Sequence, residues 1–297
     1  MSFISPRRTF DLKWRSHRLS LGARTLVMGI VNVTPDSFSD GGRFYDPSQA
    51  IAHGERLARE GADILDIGGE STRPFSDPVS AADEIQRVVP VIETLASRVD
   101  LPISIDTKKA VVAEAALSAG AAIINDVSAL AGDPYMAPLA AEAGVPLILM
   151  HMQGTPKTMQ AAPQYDNLLA DVGRFLHTAR ETAAAAGVQD DFVLLDPGIG
   201  FGKTFAHNLE LLKNLPRLGE LGAPILVGSS RKAFIRNIVK PKDAEDIAAD
   251  APEVETGTQA TVTAAIMGGA HIVRVHEVAN TMATVRVADA IVNANQA

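Results

Sequence analysis

The chain has no cysteine among its 297 residues. Disulfides, thiolate metal sites and cysteine nucleophiles are therefore excluded. Long apolar runs are also missing, since none approaches the roughly 18 residues of a membrane span. The segment from Met1 to Leu21 is charged and lacks the apolar core of a signal peptide. Excess positive charge is absent too. The net charge is −8, which argues against non-specific binding to nucleic acid or to an anionic membrane. What is present is an ordinary soluble composition, 46% hydrophobic and 21% charged, able to bury a sizeable core. The expected location is the cytoplasm.

Eight short apolar runs punctuate the chain: Leu26–Val31, Ala62–Ile67, Pro102–Ile105, Ala121–Ile124, Val145–Met150, Phe192–Leu195, Ile225–Val227 and Ile272–Val273. Each is too short for a helix and lacks the alternation of a half-exposed strand, so buried parallel strands fit. Helical spacing fills the intervals at Pro47–Glu60, Ala81–Arg98, Lys108–Ala119, Met136–Ala143, Asn167–Ala186, Asn208–Leu218, Arg231–Ile238 and Gly257–Met267. Glycines at 61, 120, 144 and 187 end several of these and lead into the next run. Eight alternating units predict a (β/α)8 TIM barrel, with a doubly wound open sheet as the alternative. Residues 1–24 read as an N-terminal extension with a short strand pair, Thr9–Trp14 and Arg18–Leu21, covering the N-terminal end of the barrel. Residues 25–297 read as one domain. The acidic connection Val239–Glu255 reads as a solvated surface loop.

Polar residues follow every run. They are Asn32; Gly68 to Pro74; Asp106; Asn125 and Asp126; His151; Asp196 to Lys203; Gly228 to Lys232; and Arg274 with His276. In a barrel these strand ends share one rim, where active sites are built. A single aspartate there is commonly a helix cap, but eight polar strand ends converging on one rim point to a site. Asp106, Asn125, Asp196 and Lys232 suit a flat, nitrogen-rich heterocycle. Carboxylates accept paired N–H bonds from an aminopyrimidine edge, an amide donates and accepts, and lysine meets a carbonyl oxygen or ring nitrogen. A structural Asp–Lys pair is the competing reading. Thr72, Arg73, Arg274 and His276 suit an anion, and arginine's fork favours phosphate. Asn32 offers one neutral oxygen, a reasonable single protein ligand for Mg2+.

Other motifs fail. Gly202-Lys203-Thr204 resembles the end of a phosphate-binding loop, but Pro197 stands where the pattern needs its first glycine. His151, His271 and His276 are too scattered for a metal triad by spacing alone.

Taken in order, Gly29–Gly42, Asp66–Pro74, Ser104–Thr107, Ile124–Val127, Leu149–Gly154, Asp196–Lys203, Gly228–Lys232 and Arg274–Val278 resemble the dihydropteroate synthase family. The resemblance runs from about residue 25 to 290 and implies a (β/α)8 fold and a homodimer. The implied activity joins 4-aminobenzoate to a pterin-methyl diphosphate, giving dihydropteroate and diphosphate in folate synthesis. Sulfonamides would compete with aminobenzoate.

The resemblance implies roles residue by residue. Asp106, Asn125, Asp196 and Lys232 hold the pterin, with Met150 and the Gly228 backbone around it. Asn32 coordinates Mg2+, and Thr72, Arg73, Arg274 and His276 bind diphosphate. Phe201, Pro74 and the Lys232 stem flank the aminobenzoate ring, while Asp36 and Phe38 belong to a first loop that closes with residues 70–80. Catalysis would fall to Asp106, Asp196, Lys232, Arg274 and His276, with a largely dissociative departure of diphosphate. Family members often carry serine after the Ser-Arg-Lys lysine. Here it is Ala233, which leaves only a backbone N–H for the aminobenzoate carboxylate. A pterin-binding methyltransferase and a non-catalytic binding subunit are the alternatives.

Overall fold

The computed structural model describes residues 5, 7–34, 47–71, 76–155, 157–159 and 161–294. Among them, strands β1 (Phe10–Trp14) and β2 (His17–Leu21) form an antiparallel pair. Eight more follow: β3 (Leu26–Asn32), β4 (Ile64–Gly68), β5 (Ile103–Asp106), β6 (Ile123–Asp126), β7 (Leu147–Met150), β8 (Val193–Asp196), β9 (Leu226–Val227) and β10 (Ile272–Val275). These eight are parallel in the order β8-β7-β6-β5-β4-β3-β10-β9, and a bridge between Leu195 and Ile225 joins the two ends into a barrel. Helices on the outside cover the strands, which explains why the runs are apolar on both faces rather than alternating.

The helices are α1 (Pro47–Arg59), α2 (Ala81–Ala96), α3 (Ala110–Ser118), α4 (Met136–Ala143), α5 (Leu168–Ala185), α6 (Phe205–Lys213), α7 (Leu215–Gly219), α8 (Ala233–Val239), α9 (Pro252–Met267) and α10 (Val278–Val292). Side chains of Ser80, Asn167 and Thr204 cap α2, α5 and α6. The glycines expected at helix ends, 61, 120, 144 and 187, all have positive φ.

Three boundaries differ from the sequence expectation. The stretch Asn208–Leu218 is two helices, because Pro216 lacks an N–H and its ring would clash with the carbonyl one turn back. Helix α9 starts earlier, at Pro252, where a proline fits the first helical position. The eighth unit has its own helix, α10, which the periodicity did not reveal. Its inward stripe mixes Thr281 and Asp289 with Val278, Val285 and Ala288, so the apolar signal is diluted. Asp289 caps the start of β3, accepting from the Thr25 N–H (2.7 Å) and pairing with Arg7 (2.7 Å). The acidic connection is largely exposed, as expected, yet anchored. Arg236 forks onto Asp246 at 3.0 and 3.1 Å, and Ile247 packs against the core.

The strand pair sits at the N-terminal end of the barrel, as the sequence suggested. The Trp14 indole donates to the Ala122 carbonyl (2.7 Å) at the entry to β6, and its ring meets Phe192 edge-on at the entry to β8. His271, before β10, accepts from the Ile225 N–H (3.0 Å) through Nδ1 and donates from Nε2 to the Arg8 carbonyl (2.9 Å). It is a structural tie with a protonated Nε2, and burial holds its pKa below the usual histidine value.

Trp14→Phe keeps the packing and orphans a buried carbonyl. The expected cost is about 1–2 kcal/mol in urea unfolding, with turnover unchanged because the pair lies at the end opposite the polar rim.

Candidate active site at the C-terminal rim of the barrel

The parallel register fixes which strand ends are neighbours. Gly68 pairs with Asp106, Asp106 with Asn125, and Met150 with Asp196. Paired neighbours present the same face of the sheet, so Asp106 lies beside Asn125 and Met150 beside Asp196. One turn of the pleat deeper, Asp66 pairs with Ser104.

Asp66 is the centre of this arrangement and is fully buried. Its Oδ2 accepts from Arg274 Nε (2.6 Å) and from Asn125 Nδ2 (3.0 Å). Arg274 uses a second nitrogen, Nη2, on Asp106 Oδ2 (2.8 Å). The guanidinium is thus clamped between two carboxylates, and the two groups of residues separated on chemical grounds meet at Arg274. On the far side, Asp196 Oδ1 accepts from the Gly198 N–H at 2.7 Å. Lys232 precedes α8, and its ammonium sits 3.8 Å over the centre of the Phe201 ring. Gly228 directly follows β9, and a Cβ placed on it would be in ordinary contact with the Arg274 side chain, at 3.8 Å.

The electrostatics follow from burying charge. Desolvation pushes Asp196 up to about 6, with the Gly198 N–H and Lys232 opposing it. Burial also raises Asp106 above the carboxylate range, although Arg274 pulls the other way. Lys232 is pushed down to about 8 by burial, then by Arg274. Such perturbed groups gathered at one rim are what a binding or catalytic site requires.

Of the residues expected to meet an anion or metal, some lie among the described residues. His276 Nδ1 and the Ser230 hydroxyl are 2.9 Å apart, and the same hydroxyl accepts from the His276 backbone N–H at 3.3 Å. Asn32 closes β3, half-buried. Asp36, Phe38, Thr72, Arg73 and Pro74 lie outside the described residues. Among the described residues no group of three or more His, Asp or Glu could hold a metal. A lone Asn32 oxygen fits a hydrated Mg2+ that takes its other ligands from a diphosphate. Among the described residues an all-protein metal cage does not fit.

Two strand-end residues are structural instead. Asp126 folds its own turn, accepting from Ser128 N (2.8 Å) and Leu130 N (2.7 Å). His151 is buried against Phe175 and Lys203. Sequence reasoning quoted Asp66 and Ser230 within motifs but assigned neither a role of its own. A carboxylate inside the apolar run Ile64–Gly68, two residues before a rim position, was the available signal for Asp66.

The fold and this rim define a class: a (β/α)8 protein whose barrel mouth gathers carboxylates, an amide and cations at one end. A profile of the pterin binding enzyme family matches residues 28–276. Dihydropteroate synthase of Synechocystis is 46% identical over 91% of this chain and 91% of its own. The Yersinia pestis dihydropteroate synthase, solved with a sulfonamide drug, superposes with a TM-score of 0.86 at 43% identity, covering 95% of this chain and 99% of that one. The Xanthomonas albilineans dihydropteroate synthase with 4-aminobenzoic acid gives 0.86 at 45% identity, covering 97% and 98%. The chain belongs to the pterin-binding enzymes and, within them, to the dihydropteroate synthase family.

Asp196→Asn keeps an oxygen for the Gly198 N–H and removes a disfavoured charge. Because the folded pKa is raised, the native state binds the proton more tightly, and Asp196 lowers stability progressively as pH rises from about 4 to about 6. The variant is expected to melt higher than wild type at pH 8, by on the order of 1–3 kcal/mol. The gain should vanish near pH 4 in thermal unfolding.

Proposed function

We propose that this chain condenses (7,8-dihydropterin-6-yl)methyl diphosphate with 4-aminobenzoate, giving 7,8-dihydropteroate and diphosphate. The observation that carries this is the Asp106–Arg274–Asp66–Asn125 cluster facing Asp196 and Lys232 at the barrel mouth. It is backed by close relatives named for that activity.

Asp106, Asn125 and Asp196 take the aminopyrimidine edge of the pterin, and Lys232 meets its carbonyl or ring nitrogen. Met150 and the Gly228 backbone border the ring. Arg274 and His276, with Thr72 and Arg73, take the diphosphate and stabilise the charge that grows as the C–O bond breaks. Mg2+, held by Asn32 and diphosphate oxygens, would supply further charge neutralisation. The pterin-methyl carbon becomes cationic, and anionic Asp106 and Asp196 lower its energy. The aminobenzoate nitrogen then forms the C–N bond and loses a proton. Phe201, Pro74 and the Lys232 stem wall the aminobenzoate, the Ala233 N–H is available to its carboxylate, and Asp36 and Phe38 help exclude water.

Residues 25–297 act as one catalytic domain, and 1–24 as an extension. The active form is a cytoplasmic homodimer, with sulfonamides as competitors of aminobenzoate. The family resemblance supports these assignments. No helix among the described residues is long and apolar enough to cross a membrane.

A coupled diphosphate assay tests the reading. Release should depend on both substrates and on Mg2+, and Arg274→Ala should lower kcat/KM by about 100-fold or more. Tight pterin binding with no diphosphate released above background would identify a pterin-binding protein of another kind. Single-turnover diphosphate release that strictly waits for aminobenzoate attack would rule out the dissociative order.

A further inference from the structure

Lys203 is among the largest fully buried side chains, at 2% exposure. A lysine so placed needs a partner for each proton, and it has three. The ammonium donates to His151 Nδ1 (2.9 Å), the Phe201 carbonyl (2.9 Å) and, at a longer 3.4 Å, the His151 carbonyl. The acceptors come from the two loops that follow β7 and β8. Each proton of the ammonium is matched, which offsets part of the cost of burying it, although burial still pulls the Lys203 pKa down to about 7.

Those loops have little freedom. Gly198, Gly200 and Gly202 all have left-handed φ values, of 67°, 85° and 62°. A Cβ on Gly198 would lie 1.9 Å from the His151 carbonyl oxygen, and one on Gly202 would lie 2.5 Å from that of Gln153. The backbone between them is held from outside by Asn208 on Gly200 N (2.7 Å) and by the Tyr165 hydroxyl on the Gly202 carbonyl (2.6 Å). From inside, Lys203 holds the Phe201 carbonyl. Phe201 turns its ring the other way, into a small apolar cluster with Val127, Met150 and Met159 and beneath the Lys232 ammonium.

We propose that Lys203 is a positioning residue, an internal donor that ties the β7 and β8 loops together and so seats the Phe201 ring against the second substrate. The proposal rests on Phe201 forming a wall of the aminobenzoate site. Lys203 itself touches no substrate. Removing its nitrogen releases the Phe201 carbonyl and lets the ring drift, while Asp106, Asn125 and Arg274 stay fixed by Asp66. The loss therefore falls on aminobenzoate and not on the pterin.

The test compares Lys203→Met, Phe201→Ala and wild type in steady-state kinetics, after confirming folded protein by thermal melting. Lys203→Met is expected to raise the KM for 4-aminobenzoate and the inhibition constant of a sulfonamide together, by about tenfold or more. The dissociation constant of the pterin diphosphate, and kcat at saturating aminobenzoate, should stay within about threefold of wild type. A purely structural role would lower the melting temperature and leave that split absent, which overturns the proposal. If Phe201→Ala leaves the aminobenzoate KM unchanged, the assignment of Phe201 fails. If Phe201→Ala raises it and Lys203→Met does not, only the role of Lys203 fails. His151→Phe keeps the ring against Phe175 and removes one acceptor. It should show a smaller shift of the same kind, and it decides the question should Lys203→Met not fold.

Discussion

The hydrogen bonds that Asp66 Oδ2 accepts from Arg274 and Asn125 organise the whole mouth of the barrel. A buried carboxylate is costly unless paired, and pairing it with an arginine that also reaches Asp106 spreads two negative charges over one guanidinium. The arrangement is rigid because each partner comes from a different strand. Arg274 stands on β10, Asn125 on β6 and Asp106 on β5, so none can shift without disturbing the barrel register. The residues proposed for the anion and those proposed for the heterocycle are thereby joined through one side chain, Arg274. The same burial that raises Asp196 and Asp106 and lowers Lys232 makes these groups responsive to a ligand that replaces lost water.

Much of this was legible in the sequence, because buried parallel strands and helix-ending glycines leave local marks. Leu26–Val31 and the glycine at 144 needed no tertiary knowledge. Placement of Asp106, Asn125 and Asp196 at one rim followed from topology alone. What stayed hidden depended on contacts between distant segments. Asp66 was quoted within a motif but given no role, because its partners are 59 and 208 residues away. The last helix was obscured by Asp289, whose partners Thr25 and Arg7 lie at the other end of the chain. His151 and Lys203 read as fragments of unrelated motifs, since only the fold shows them donating and accepting within one buried pair.

The short β9 has a consequence for the barrel's behaviour in time. With only two residues in that strand, β8 and β9 meet through a single bridge and a bond from Leu195 N to the Pro224 carbonyl. That seam is the thinnest part of the wall, and amide protons along it would exchange with solvent at the lowest opening cost. Asp196 stands on one side of it and the Gly228–Lys232 loop on the other, so each opening changes the spacing between the two halves of the mouth. His271 is stitched to Ile225 on the seam and to Arg8 in the segment ahead of β1. The seam beside the rim is thus tied to the opposite pole of the molecule, through residues that precede the barrel.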